Sequence, residues 1–571
     1  MRARERRSSV LSHGGAGNGE TGGDAIRRAL LDLKAAWGIQ FRAAETVLRA
    51  LVGDEPVSQE AVIRDSGLSH RSVVEITRKL EPWLEGDPHG WRLAAGARRV
   101  VRAELVHQGL RASPDDAAVL DEITRLVSRA PARRRELDHV VATPETCLRR
   151  ARFLARTYAL EGGHVVFLGD HDLTSLALAL LVPEARVSVV DVDDDLLAYV
   201  DRSSRDLGRR VTCHFADLRL GVPQALRASA DLVFTDPPYT PEGIQLFAAR
   251  GCEALRQNDL SRLLLCYGHG ERQPMLGFKA QSALHALRLV SEAIHPRFNQ
   301  YLGAQAIGST SALYVLRPVG LTWKALERAT SADARIYSHG GMSIEAHPRK
   351  LPDEIQSGVM ARLGDAPEPP VFAGSGWTAG PAADVLSLPA LWRLYERHAS
   401  ALPARRPRMP DTVAVNLLES PPLTARVLLV NRSRRLLLVV PSRHARMLVE
   451  AGGRLVPLLG AVYTLTEVAR HDGIAVVEAL RRSDDDDDAG RIARYLVQHP
   501  TAGLANALRE AVVHAAEAVG RPMTKNEARG LVDEHGLADS RDLRLHDLPL
   551  HVLEEVASLV PVLAASIERL S

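Results

Sequence analysis

Residues 231–240, Asp-Leu-Val-Phe-Thr-Asp-Pro-Pro-Tyr-Thr, carry a short apolar run into a stop that no strand can pass. Leu232, Val233 and Phe234 suit a buried strand, whereas Pro237 and Pro238 cannot donate to a ladder and fix the backbone rigidly. Asp236 is thereby predicted at the carboxyl end of a strand, where open α/β sheets bind their ligands. Its carboxylate and the nearby carbonyls can accept N–H bonds from an attacking amine, with the Tyr239 ring covering it. The same residues also make an ordinary strand-ending turn, and the surrounding chain decides between the two readings.

Outward from this stretch, apolar runs at 164–168, 187–191, 211–214 and 231–235 alternate with helical patterns at 173–182, 196–207 and 223–228. Such alternation predicts right-handed βαβ crossovers and a parallel sheet covered on both faces. Runs at 262–266 and 312–316 are expected to complete it. The fold class is α/β, with a Rossmann-like central domain of class I methyltransferase type over 111–330. Residues 1–22 are rich in Arg, Gly and Ser and read as a disordered tail. Residues 23–110 read as a winged helix. A helix over 57–65, a Ser66-Gly67-Leu68 turn, a helix capped by Ser69 and a hairpin at Asp87-Pro88-His89-Gly90 follow one another. Val74, Ile76 and Leu80 are expected inward, leaving His70, Arg71, Arg78 and Lys79 outside as a DNA reader would have them. The alternative is a scaffold or homodimerisation module with no nucleic-acid partner.

Residues 331–380, rich in Gly, Pro, Ser and Ala, read as a linker. Residues 381–571 read as a C-terminal α+β region, with strands at 413–417, 426–430 and 435–440 and helices near 502–519 and 551–570. Its chemistry is not legible, and the five aspartates at 484–488 read as a solvated loop.

A chain of 571 residues predicts several domains, and 46% hydrophobic with 25% charged residues is ordinary globular composition. A net charge of +2 gives no global drive toward nucleic acid or anionic membrane. Cys147, Cys213, Cys252 and Cys266 form no CxxC pair, which argues against a zinc or disulfide framework and fits a cytoplasmic protein without metal. Apolar runs such as 173–182 are too short to span a bilayer.

The strand ends carry one acidic residue after another: Gly169-Asp170-His171-Asp172, then Asp191 and Asp193, then Asp217, then Asp236. In a doubly wound sheet these positions share one rim, and like charges there repel unless a cation sits among them. Asp172 also suits a helix cap. The first loop is not GxGxxG, which disfavours NAD and ATP. Asp191 stands where such folds bond ribose hydroxyls. A nucleoside with a cationic tail fits both facts: S-adenosylmethionine, or its decarboxylated form, whose ammonium suits Asp170 and Asp172 better.

Ala-Thr-Pro-Glu-Thr at 142–146, Phe-Leu-Gly-Asp-His-Asp-Leu-Thr-Ser at 167–175, Val-Asp-Val-Asp at 190–193 and Phe-Thr-Asp-Pro-Pro-Tyr-Thr at 234–240 resemble the branched-chain polyamine synthases. Phe-Ala-Ala-Arg-Gly at 247–251 and Phe-Asn-Gln-Tyr at 298–301 look similar too. The likeness covers roughly residues 24–318. These N4-bis(aminopropyl)spermidine synthases place a winged helix before a Rossmann-like catalytic domain. The resemblance implies aminopropyl transfer from decarboxylated S-adenosylmethionine to a polyamine such as spermidine. It assigns Gly169, Asp170 and Asp172 to the donor loop, and Asp236, Pro237, Pro238 and Tyr239 to the amine-binding segment. His171 departs from the family, which carries an acid there; a neutral imidazole can accept a proton but cannot anchor a polycation. The expected roles are Asp236 orienting the amine, Tyr239 as a lid, Asp191 on ribose, and Asp170 and Asp172 on the donor ammonium. Asp193 and Asp217 belong to the same acidic donor wall. His171 is either the base or a loop histidine bonding the backbone. The alternatives are an S-adenosylmethionine-dependent N-methyltransferase and a DNA-binding sensor that catalyses nothing.

Overall fold

The computed structural model describes residues 22–87, 90–109, 116–326, 336–337, 350–364, 368–378, 385–400, 407–450, 453–482, 487–534 and 540–569. The expected tail lies outside them except for Gly22, as do Pro88, His89, Asp484, Asp485 and Asp486. The chain divides into two compact units, Met1–Ser113 with Arg156–Ala159, and Pro114–Ala155 with Leu160–Ser571.

In the first unit, the Ser58 side chain accepts from Ala61 N and opens the helix Gln59–Ser66, which Gly67 ends in the left-handed conformation. Ser69 accepts from Ser72 N and opens His70–Leu80. Strands β1 (Leu84–Asp87) and β2 (Gly90–Leu93) then pair antiparallel. Val73, not the expected Val74, joins Ile76 and Leu80 in the core, because positions three and four apart share one helix face. His70, Arg71, Arg78 and Lys79 are exposed.

The second unit holds two sheets. The first contains β3 (His164–Leu168), β4 (Arg186–Asp191), β5 (Val211–Phe215), β6 (Leu232–Thr235), β7 (Arg262–Tyr267), β8 (Val290–Gln300) and β9 (Thr310–Arg317), ordered β5-β4-β3-β6-β7-β9-β8. Strands β3 to β7 are parallel, but β9 runs antiparallel to β7 and to β8. The sheet is therefore mixed, correcting the all-parallel expectation for 312–316. The connection between β8 and β9 is too short for the crossover a parallel neighbour needs. The sequence did not signal β8, a polar edge strand that tolerates Pro296. Residues 223–228 form only the short 3-10 turn Gln224–Leu226 instead of the expected helix. Strand β3 lies between β4 and β6, so the winding reverses there and the carboxyl ends open a crevice.

The second sheet contains β10 (Val371–Ala373), β11 (Thr412–Asn416), β12 (Arg435–Pro441), β13 (Tyr463–His471) and β14 (Ile474–Arg481), ordered β10-β11-β12-β14-β13. Residues 426–430 are not a strand; they belong to the wholly buried helix Thr424–Val430. A short apolar run satisfies both patterns, and here the preceding Pro421 and Pro422 start a helical turn. The stretch read as a linker contains the helix Asp353–Leu363, whose Ile355, Val359 and Leu363 share a core with Phe372 of β10. Helix Leu550–Arg569 is long and apolar enough to cross a membrane. Its Leu553, Val556, Val560 and Leu563 are buried within this unit.

Candidate active site

The carboxyl ends of β3 to β6 surround a cavity of about 270 Å3. Gly169, His171 and Asp172 line it after β3, Asp191 at the end of β4, Asp217 after β5, and Asp236, Pro237, Pro238 and Tyr239 after β6. Gly169 turns the first loop at a φ of +70°, a conformation that favours glycine. Asp170 and Asp193 are not on the wall. The Asp170 carboxyl accepts from Ser175 N at 3.2 Å and from Ser175 Oγ, at the start of helix Thr174–Leu181, and burial pushes its pKa up to about 8. Asp193 caps helix Asp194–Asp206 by accepting from Asp195 N at 3.1 Å, and lies 3.6 Å from Arg134.

Two arginines sit among the rim carboxylates. Arg150, 1% exposed, donates to Asp172 at 2.5 Å, to Asp236 at 2.6 Å and to Asn299 at 2.8 Å. Arg219 grips both oxygens of Asp217, with Nε 2.9 Å from Oδ1 and Nη2 2.5 Å from Oδ2. Buried carboxylates left unpaired would cost several kcal/mol each, and these guanidiniums offset part of that cost. Asp172 accepts from Ala142 N at 2.6 Å through its other oxygen. The group sets two carboxyl side chains, Asp172 and Asp236, against one guanidinium, a formal excess of one acidic group.

Asp236 also accepts from Tyr239 Oη at 2.9 Å and from Tyr301 Oη at 2.8 Å. The two phenol oxygens are themselves 2.8 Å apart, and Tyr301 Oη is 2.8 Å from Ser311 Oγ. Two phenolic protons thus serve three short contacts among Asp236 and the phenols, and the network can reorganise when an amine donates to Asp236. Burial raises the Asp236 pKa, with Arg150 opposing it. Asp191 accepts from Asp193 N at 2.9 Å and Asp170 N at 3.4 Å, and burial pushes it up to about 7.

His171 stacks on His139, with ring centroids 4.1 Å apart. Burial lowers His171 to about 4 and His139 to about 3, so both rings are neutral at neutral pH. Among the described residues, Nδ1 of each ring is buried without a hydrogen-bond partner, so His171 makes no backbone bond to them through that atom.

Sequence reasoning assigned no role to Arg150, Tyr301, Arg219 or His139. A signal for Arg150 was present: in helix Pro144–Thr157 it falls on the same face as Cys147, Ala151 and Leu154, where a cation implies a buried anionic partner. Tyr301 belongs to the stretch at 298–301 already quoted for the resemblance, but its role was not legible there, since its partners Asp236 and Tyr239 follow β6 and Ser311 lies in β9.

The family described as the branched-chain polyamine synthase A C-terminal domain matches residues 118–346. An uncharacterized protein of Methanocaldococcus jannaschii is 34% identical over 298 residues, covering 50% of this chain and 75% of that protein. The N(4)-bis(aminopropyl)spermidine synthase of Thermus thermophilus is 38% identical over 120 residues, covering 21% of this chain and 35% of the synthase. The chain thus matches about a third of that synthase's length. Among solved structures, the branched-chain polyamine synthase from Thermus thermophilus in complex with N4-aminopropylspermidine and 5'-methylthioadenosine is 24% identical. That match covers 52% of this chain and 93% of the other, with a TM-score of 0.31.

Proposed function

Because the chain belongs to the branched-chain polyamine synthase family, we propose that it transfers aminopropyl groups from decarboxylated S-adenosylmethionine to a polyamine such as spermidine. The observation that carries the proposal is Asp236 on the cavity wall, held by Arg150, Tyr239 and Tyr301 beside the Asp191 end of the crevice. The acceptor nitrogen attacks the carbon next to the sulfonium; the C–N bond forms, the C–S electron pair goes to sulfur, and neutral 5'-methylthioadenosine leaves. Sulfonium departs readily, so positioning and electrostatics supply most of the acceleration.

Polyamine nitrogens are cations at neutral pH, with pKa values near ~10 by analogy to lysine. The reactive amine must therefore bind with its lone pair exposed. Asp236 accepts one of its N–H bonds, and Tyr239 with Pro237 and Pro238 walls it in. The proton shed on bond formation passes to Asp236 and the phenol contacts leading to Ser311. His171, at about 4, is a weak base and acts as a hydrogen-bond acceptor for an approaching ammonium. Asp191 takes the ribose hydroxyls, with Gly169 and Asp217 beside it. Asp172 and Asp236, sharing Arg150, attract the donor ammonium through their excess acidic group, while Asp170 and Asp193 support the loops. The helices and hairpin of the first unit fit a winged helix over 23–110.

The test is mass spectrometry after incubating the full chain with spermidine and each donor. Aminopropylated product with the decarboxylated donor alone supports the proposal. Methylated spermidine with S-adenosylmethionine, or no product from either donor, overturns it.

A further inference from the structure

The crevice is built by the first sheet, but one guanidinium of the C-terminal region ties two of its loops together. Arg426, in the buried helix Thr424–Val430, donates to Asp194 through Nη1 at 2.8 Å and Nη2 at 2.7 Å. Its guanidinium carbon lies 3.6 Å from the centroid of the Phe215 ring. Asp194 begins the helix directly after Asp191, Val192 and Asp193, and Phe215 ends β5 just before Ala216, Asp217 and Leu218. Asp191, Val192, Ala216, Asp217 and Leu218 line the cavity. Neighbouring contacts pull the same way: Leu550 N donates to Asp194 at 2.7 Å, and Ser420 Oγ accepts from Arg219, the counter-ion of Asp217, at 2.8 Å.

From this geometry we infer that the C-terminal region positions the nucleoside half of the cavity, with Arg426 as the positioning residue. A bidentate ion pair fixes Asp194 in direction as well as distance. Stacking on Phe215 holds the end of β5, the edge strand of its sheet among the described residues, against β4. The Asp191 carboxylate and the Asp217 wall are thereby kept at one separation, the condition for gripping a ribose and a base together. The amine half, centred on Asp236, Tyr239 and Tyr301, takes its supports from within the first sheet and the helix Pro144–Thr157, so it is independent of Arg426.

This inference rests on the proposed donor site, and its test separates the two. Calorimetry with 5'-methylthioadenosine is run on the full chain, on R426K, and on R426M/D194N, which removes the brace without stranding a buried charge. Circular dichroism verifies the fold. The expected result is about a tenfold weaker nucleoside affinity in R426M/D194N, matched by a rise in donor KM with acceptor KM unchanged, and an intermediate loss in R426K. The milder S420A, which keeps Arg426 in place, is expected to lose affinity a few-fold and serves if the double variant does not fold. Unchanged affinity in a folded R426M/D194N, an equal rise in both KM values, or, where S420A serves, its unchanged affinity overturns the inference. A parent chain that binds the nucleoside but forms no aminopropylated product refutes the proposed reaction and leaves the brace standing.

Discussion

Replacing Asp236 by Asn isolates the charge of the proposed amine anchor while keeping its shape. Arg150 Nη2 and Tyr301 Oη both donate to Oδ2, so the Asn oxygen must occupy that position and its NH2 must face Tyr239 Oη. Tyr239 then accepts where it previously donated, and the wall loses its excess acidic group. The N–H bond of the neutral amine to the Asp236 carboxylate contributes about 1.5–3 kcal/mol, and the flanking ammoniums of the polyamine add to it across the cavity. Residual hydration of the open cavity reduces that figure, and a 100-fold fall in kcat/KM for the polyamine corresponds to about 2.7 kcal/mol. The assay is the initial rate of product formation by mass spectrometry at varied spermidine, with 5'-methylthioadenosine affinity measured in parallel. The variant should lose at least about 100-fold in rate and keep its nucleoside affinity, because Asp191 is untouched. Turnover within a few-fold of the parent would refute the anchor, and loss of nucleoside binding would show that the two half-sites are not separable.

Three further outcomes follow from the same geometry. R150M leaves Asp172 and Asp236 buried without their cation and should destabilise the fold by about 3–5 kcal/mol in denaturant titration, with D172N added to it recovering part of the loss. H171D adds a carboxylate to the wall and should lower KM for a triamine several-fold more than for a diamine; an unchanged ratio in initial-rate measurements counts against a charge role at that position. Stability should peak near pH 6.5. Asp170, Asp191 and Asp547, raised from 3.8 to about 8, 7 and 7, contribute stability that is complete below the ordinary carboxyl range and is lost as pH rises through those values. His139, His164, His171, His214, His444 and His546, lowered from 6.5 to between about 3 and 4, contribute stability that is lost as pH falls from 6.5 through those values. Thermal melts from pH 4 to 9 should rise, peak and fall, and D547N should flatten the alkaline limb.

Local pattern by itself determined where most strands of the first sheet begin and end, and that acidic residues stand at their carboxyl ends. Those features depend on period, proline placement and short-range burial, all of which are written in neighbouring residues. Local pattern failed at residues 426–430, where strand and buried helix share one apolar signature, and at the polar edge strand β8. Only the tertiary structure decided which carboxylates face the cavity and which cap helices, because Asp170 and Asp172, two residues apart, turn to opposite duties. It also decided the counter-ions: Arg150 reaches Asp236 across 86 positions and Arg426 reaches Asp194 across 232. A buried charge must find an opposite one, but which one is set by the packing of whole elements, and no local stretch of the chain contains that choice.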